Sequence, residues 1–406
     1  MAEQDVDVLI VGGGVIGAAL MRALEPLGYR VLLVEDRPIR GGHVSDFDGR
    51  SLALSPASIE ILTRLSVWPL LQAQATHIEA IHVSEQGGFG QARLLGDKQH
   101  PLGAVVEMEV LRSAFESLLN PKQRLAPAKL TALDATSGQA TITTTAGELR
   151  LNARLVVGAD GADSSLRQWC HLSAQRKDYQ QQAIVANIGL MRSHQQWAYE
   201  RFTPSGPLAL LPMTDLRASL VWVHEPAEAT RLMSVSDEAF LSALQRAFGY
   251  RLGRFVKAGQ RVAYPLRQVI MPEQVVGSVV FMGNAAHTLH PVAGQGFNLG
   301  LRDVATLVQC IAHTGLGADT LHTYQHLRRA DQAIITQFTD GLITLFSSRW
   351  PGVAFARQLG LLAMDNSGAL KNIISRYAGG FGGVVPDLVC GIPLAVTPQR
   401  APSSSV

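Results

Sequence analysis

Cysteine is scarce: the 406-residue chain holds three, Cys170, Cys310 and Cys390, far apart and with no CxxC spacing. An odd, scattered set supports neither a disulfide framework nor a zinc site, and it fits a reducing cytoplasm. Charge is scarce as well. Charged residues make up 17% of the chain, against about 25% in typical globular proteins, and the formal net charge is only +2. That balance provides no field to hold nucleic acid, and no Lys/Arg run interleaved with aromatics restores one, so nucleic acid is not an expected partner. Long apolar runs are missing too. The most apolar stretch, residues 379–396, is broken by Pro386, Asp387 and Pro393, and nothing approaches the roughly 18 uncharged apolar residues of a spanning helix. The opening Met-Ala-Glu-Gln-Asp is acidic where a signal peptide would be basic. The expected location is cytoplasmic, with contact at the inner face of a membrane left open.

What is present is a hydrophobic share of 47%, normal for a globular chain and enough to bury a large core. Residues 6–11 form a nearly continuous apolar run followed at once by Gly12, Gly13, Gly14 and Gly17. Ile16, Leu20, Ala23 and Leu27 then recur at helical spacing until Gly28, and residues 31–34 form a second apolar strand ending in Glu35. This is a strand-turn-helix-strand unit of the α/β class. Gly12-x-Gly14-x-x-Gly17, with an acid 18 residues after Gly17, is the dinucleotide fingerprint in its required context. The glycines allow the tight turn, the approach of a pyrophosphate and close helix-strand packing, and Glu35 accepts from a ribose 2′-OH. The motif alone leaves NAD and FAD open.

Later segments narrow the choice. The run from Phe281 to Asp303, FMGNAAHTLHPVAGQGFNLGLRD, closely resembles the second FAD signature of the aromatic-ring flavoprotein monooxygenases of the para-hydroxybenzoate hydroxylase type. That signature usually carries Asp where this chain has Asn284, which exchanges a charged ribityl contact for a neutral one. Two further matches extend the resemblance: VVGADGADSSLR around Asp160, similar to the family's Asp-Gly motif, and DGRSLALS with LRSAFESLL, which carry Arg50 and Arg112. Within the family the chain resembles the ubiquinone-biosynthesis hydroxylases, and among these the 2-polyprenyl-6-methoxyphenol hydroxylase subgroup. The carrying residues include DGRSLALSP, ERFTPSGPLALLPM, AFGYRLG and AYPL.

The resemblance implies a Rossmann-like FAD-binding domain with an inserted mixed β-sheet substrate domain and C-terminal helices. The boundaries expected are 1–75, 103–171 and 277–345 for FAD, 76–102 and 172–276 for substrate, 346–400 for a helical region and 401–406 for a disordered tail. It implies FAD held by Gly12, Gly14, Gly17, Glu35, Arg50, Arg112, Asp160, Asn284, Gly294, Gln295, Gly296 and Asn298. With no second GxGxxG, NAD(P)H is expected as a transient reductant. The implied reaction is hydroxylation of a hydrophobic polyprenyl phenol by O2 through a flavin C4a-hydroperoxide. His290, Pro291 and Pro212 are the candidates for residues beside the flavin, and no catalytic proton acceptor is assigned. His287 and His290 are spaced i, i+3, but no third ligand completes a metal set.

Residues 346–364 mix aromatic and aliphatic side chains with arginines, as an interfacial helix does. The competing expectation is a helix packed on the FAD domain or on a partner subunit, such as a ubiquinone-biosynthesis complex subunit. Two other functions compete with hydroxylation: a flavin-dependent prenyl C=C reductase, and a flavin-bearing assembly subunit of a lipid-biosynthesis complex.

Overall fold

The computed structural model describes residues 3–38, 50–214, 216–348, 350–382 and 385–391. Asp48, Asp215, residues 392–400 and the tail 401–406 lie outside the described residues.

The apolar run after the N-terminus becomes the strand Glu3–Val11, paired in parallel with Val31–Val34 on one side and the long strand Gly147–Gly158 on the other. Arg124–Leu125 and Val279–Phe281 extend this parallel core outward. Both faces are buried, which is why the run lacks alternation. Val8 and Ile10 join a core with Leu20, Val304 and Val308, while Val6, Leu9 and Val11 join a second with Ile142, Leu166 and Phe281. The helices Val15–Leu24 and Gln295–Thr314 pack together on the first face.

A nine-stranded sheet carries the β-branched sequence: its order is His287–Thr288, Val262–Ile270, Gln175–Leu190, Arg217–His224, Gly206–Pro212, Trp197–Thr203, Ala80–Glu85 and Gln91–Leu95, with Phe255–Ala258 pairing beside Gln175–Leu190. It is antiparallel except where Trp197–Thr203 meets Ala80–Glu85. The helices Pro226–Ser234 and Asp237–Phe248 cover one face with Leu232, Phe240 and Leu244. A three-stranded sheet, Ser51–Leu54, Gly103–Glu107 and Thr76–Ile78, lies between the two larger ones. Two segments therefore sit across the boundaries expected from sequence. His287–Thr288 pairs with Val262–Ile270 of the second sheet, and Thr76–Ile78 pairs with Gly103–Glu107 rather than with its sequence neighbours.

Of the C-terminal helices Ala318–Ser347, Pro351–Asn366 and Gly368–Ala378, the middle one packs on the edge strand Gln91–Leu95 of the nine-stranded sheet. Arg357, almost fully buried, forms an ion pair with Glu85 and donates to Leu345 O at 2.7 Å. Gly90 N donates to Gln358 Oε1 at 2.6 Å, Arg93 pairs with Asp365 at 2.7 Å, and the rings of Phe202 and Phe346 stack. The helix Pro351–Asn366 thus packs one face on the edge of the second sheet, not on the FAD domain, and this packing leaves the exposed face of the region available to a membrane or a partner. Glu85→Ala leaves the Arg357 guanidinium buried without its carboxylate, an expected loss on the order of 3 kcal/mol. A urea-denaturation midpoint equal to wild type would contradict that.

Candidate active site

The glycine turn is shaped by contact. Gly12 has φ +111°, and a Cβ there would meet Ala159 O at 2.4 Å; a Cβ on Gly17 would meet Gly12 O at 2.0 Å. Gly14 differs: nothing lies within 4 Å of its Cβ position, because it faces a cavity. The helix Val15–Leu24 that follows has no side-chain cap, so its first N–H groups are available to an anion. Gly13 N donates to Glu35 Oε2 at 2.7 Å and Arg37 N to Oε1 at 3.1 Å. Burial, then the neighbouring Asp36, push the Glu35 carboxyl up. Each carboxylate oxygen retains a lone pair for a ribose hydroxyl.

The cavity measures about 1760 Å³ and is lined by residues from all these elements. Ligand pockets commonly hold about 300–1,000 Å³, so this one has room for a dinucleotide and a second molecule together. Near Glu35 it is lined by Arg112, Glu109, Glu116 and Arg124. Arg112 is held by Glu109 and by Glu116, the latter at 2.5 Å. Arg50, at the mouth, donates to the Tyr264 hydroxyl at 3.3 Å.

Further along, the short turn Gly283–Ala285 exposes Asn284 to the cavity. A second turn, Val292–Gly294, runs into the helix Gln295–Thr314, whose N-cap is Gly294 at φ +61° with no side-chain cap. Gln295 lines the cavity, and Gly296 leaves its Cβ position open. These open glycines and uncapped helix ends fit the pyrophosphate and the flavin of FAD, as the buried alternatives at Gly12 and Gly17 would not.

Two of the residues expected to touch cofactor are engaged otherwise. Asn298 Oδ1 accepts from Ser55 N and Ser58 Oγ at 2.9 and 2.7 Å, and its Nδ2 donates to Ala53 O and Gly294 O at 3.0 and 2.9 Å. Its side chain is thus saturated by protein, clamping the strand Ser51–Leu54 to the Gly294 turn. Asp160 does not line the cavity, although Ala159 and Gly161 do; its Oδ2 accepts from Leu166 N at 3.3 Å. That bond ties the Asp160-Gly161 turn to the start of the helix Ser165–Trp169.

Of the flavin-side candidates, His290 and Pro291 line the cavity. Pro212 does not: along Gly206–Pro212 the side chains of Pro207, Ala209 and Leu211 line it, and Pro212 is buried on the other face. His290 Nδ1 accepts from Val292 N at 3.2 Å, and its ring meets Tyr179 edge-on at 5.0 Å.

Sequence reasoning missed a buried charge network behind this loop. Asp303, with no exposed surface, accepts from Gly283 N at 2.9 Å, His287 Nε2 at 2.5 Å, Arg328 Nε at 2.7 Å and Gln332 Nε2 at 3.2 Å. Arg328 and Arg302 share Asp331 at 2.5 and 2.8 Å. Burial alone would raise the Asp303 carboxyl, but His287 and Arg328 outweigh it and hold the group well below the usual carboxylate range. Arg167, also buried, donates to Ala285 O at 2.8 Å and Ala162 O at 2.7 Å, tying the Asp160 turn to the Asn284 turn.

Two histidines make stability depend on pH. Burial pushes His290 and His224 down to about 4, against about 6.5 in an unfolded chain. As pH falls below 6.5 the unfolded chain takes up protons that the folded protein refuses, so stability present above that value is lost toward pH 4. The expected loss from pH 7 to 5 is roughly 2 kcal/mol for each histidine. His224→Phe, which replaces a ring packed on Trp222 at 4.3 Å, should remove about 2 kcal/mol from the wild-type change in stability between pH 7 and 5 in denaturation curves. An unchanged slope would rule His224 out as a contributor.

The comparison with known proteins converges on the same chemistry. Residues 5–339 match the family described as FAD binding domain. The chain is 37% identical to ubiquinone hydroxylase UbiL of Rhodospirillum rubrum, over 97% of this chain and 94% of that protein. It is 33% identical to 3-demethoxyubiquinol 3-hydroxylase of Escherichia coli, over 93% of this chain and 99% of that one. The solved structure of p-nitrophenol 4-monooxygenase PnpA from Pseudomonas putida superposes with a TM-score of 0.75 at 18% identity, covering 94% of this chain and 99% of that one, and shows the shared fold. The class defined is thus an FAD-dependent enzyme of the aromatic hydroxylase fold. The chain belongs to the FAD-dependent monooxygenase family that includes these ubiquinone-biosynthesis hydroxylases.

Proposed function

We propose that the protein hydroxylates the ring of a polyprenylated phenol in ubiquinone biosynthesis, with O2 as oxygen source and NAD(P)H as a reductant that binds transiently. Bound FAD supplies the redox chemistry, carrying two electrons from the nicotinamide to oxygen. Gly14 and the free amides of the helix that follows accommodate the pyrophosphate, with Gly12 and Gly17 shaping the turn; Glu35 accommodates the ribose, and Asn284 with the amides at Gly294–Gly296 the ribityl and flavin. The first sheet is the FAD platform, the second the substrate wall, and the C-terminal helices cover the tail.

One observation carries this reading: the cavity that begins at the glycine turn continues into an apolar chamber. Val83, Ala209, Val221 and Val223 form its sheet wall, and Leu342, Val353, Leu361, Met364 and Ile374 of the C-terminal helices line it as well. Such a chamber excludes the water that would divert activated oxygen from the ring, and it suits an isoprenoid better than a polar ring substituent. Each buried CH2 contributes about 0.8 kcal/mol. Lengthening the tail of a model phenol by one prenyl unit should therefore lower KM more than about tenfold until the chamber is full. KM values independent of tail length would refute the tail assignment.

No helix among the described residues is long and apolar enough to cross a membrane. Exposed Trp350, Phe355, Leu359 and Ile373 on the C-terminal region support contact with a lipid surface, from which the tail enters. Trp350→Ser with Phe355→Ser should abolish flotation with anionic liposomes. Flotation equal to wild type would assign the exposed face to a protein partner instead.

A further inference from the structure

The cavity wall holds one residue that the family chemistry described so far does not use. Glu200 lies on the strand Trp197–Thr203, in register with Val83 on one side and Ala209 on the other, and Ala209 is in turn opposite Val221. All four line the cavity, so a single carboxyl stands in an aliphatic wall. No hydrogen bond or ion pair holds it among the described residues. The other ionisable groups on this part of the cavity are spoken for or distant: Arg357 is paired with Glu85, Arg50 sits at the mouth with Tyr264, and Asp340, behind His290, binds Tyr179, Lys177 and Gln268. Burial alone pushes the Glu200 carboxyl up to about 7. Its side chain is partly buried and lines the cavity. A charged side chain so placed costs stability, and a lone carboxyl with a raised pKa in a cleft marks a working acid or base.

Its position along the strand is informative. Ala198, two residues earlier on the same face, packs with Met213, Ile78 and Val105, where the second sheet meets the three-stranded sheet. That small sheet is clamped to the flavin-side turn through Asn298. Phe202, two residues later, stacks on Phe346 at the start of the C-terminal cover. Each step of two residues advances about 7 Å. Glu200 thus stands between the flavin end and the tail end, where the substrate's aromatic ring must lie if its tail runs under the helices.

We propose that Glu200 is the proton acceptor for the substrate's phenolic hydroxyl. This rests on the hydroxylase reading above. In the step, the phenol O–H bond breaks, the proton goes to a Glu200 carboxylate oxygen, and the electron pair stays on the ring oxygen. The ring becomes more electron-rich at the carbon to be hydroxylated. That carbon gains one oxygen atom of O2 and loses its hydrogen as a proton, which leaves in the water formed from the second oxygen atom; the ring oxygen then recovers a proton from Glu200, which returns to the carboxylate.

The test compares FAD-loaded wild type with Glu200→Gln, using a short-chain prenyl phenol and NAD(P)H across the pH range. Removing a buried charge should leave folding and FAD content intact. The rate of hydroxylated product should fall roughly 100-fold or more, with KM changed little, and the wild-type loss of rate below pH of about 7 should disappear from what remains. A fluorinated, more acidic phenol that ionises without help should restore much of the variant's rate, which a merely structural defect would not allow. A variant matching wild type in rate and pH profile overturns the assignment while leaving the hydroxylase reading standing. A wild type that oxidises NAD(P)H but never hydroxylates the phenol overturns both.

Discussion

Replacing Asp303 with alanine is expected to cost the protein about 3–5 kcal/mol, the penalty for removing one partner of a buried ion pair. Arg328, with a side chain only 2% exposed, would lose its Nε acceptor, His287 its Nε2 partner, and Gly283 N the bond that fixes the Asn284 turn. Total stabilities of about 5–15 kcal/mol leave little margin for such a loss. The variant should therefore be recovered largely unfolded or colourless, and Asp303→Asn, which keeps the shape but not the charge, should fall between. Denaturation midpoints and bound-flavin absorbance measure both effects. A yellow D303A protein with an unchanged midpoint would show that the network is dispensable.

The second large effect separates two glycines of one motif. Gly17→Ala places a methyl carbon 2.0 Å from the Gly12 carbonyl oxygen, a backbone contact that no rotamer relieves. The helix must move from the strand, and both folding and FAD retention should fail. Gly14→Ala meets nothing within 4 Å, so the apoprotein should unfold at the same denaturant concentration as wild type. Its methyl projects into the cavity, and FAD affinity should drop by more than about tenfold, or about 1.4 kcal/mol. Equal behaviour of the two variants would mean that Gly14 does not border the pyrophosphate.

That contrast also shows how far the sequence could be read. Gly12, Gly14, Gly17 and Glu35 sit within one strand-turn-helix-strand unit, so their spacing already specifies their geometry. The Gly294 turn was legible for the same reason. Asp303 closes the FAD motif in sequence, but its partner Arg328 lies a helix away, and no local periodicity announces a pairing between helices. The motif places Asn298 at the cavity, which it lines, but nothing local announces the four bonds by which its side chain clamps the strand Ser51–Leu54 to the Gly294 turn. Pro212 faces away from the cavity by parity: strand side chains alternate, and only the register with neighbouring strands decides which set faces it. Glu200 escaped notice because a polar residue alternating with apolar ones reads as the wet face of a half-buried strand. Here neither face is an ordinary wet surface, one being covered by helices and the other lining the cavity, a fact of tertiary structure alone.

The most direct test of the central claim is mass spectrometry of the product formed by the purified, FAD-reconstituted protein from a short-chain prenyl phenol, NAD(P)H and ¹⁸O2. The account predicts a ring-hydroxylated phenol carrying one labelled oxygen from O2 for each substrate converted. A product that has gained two hydrogens in its side chain without label, or a correctly folded protein that never takes up FAD, would contradict it.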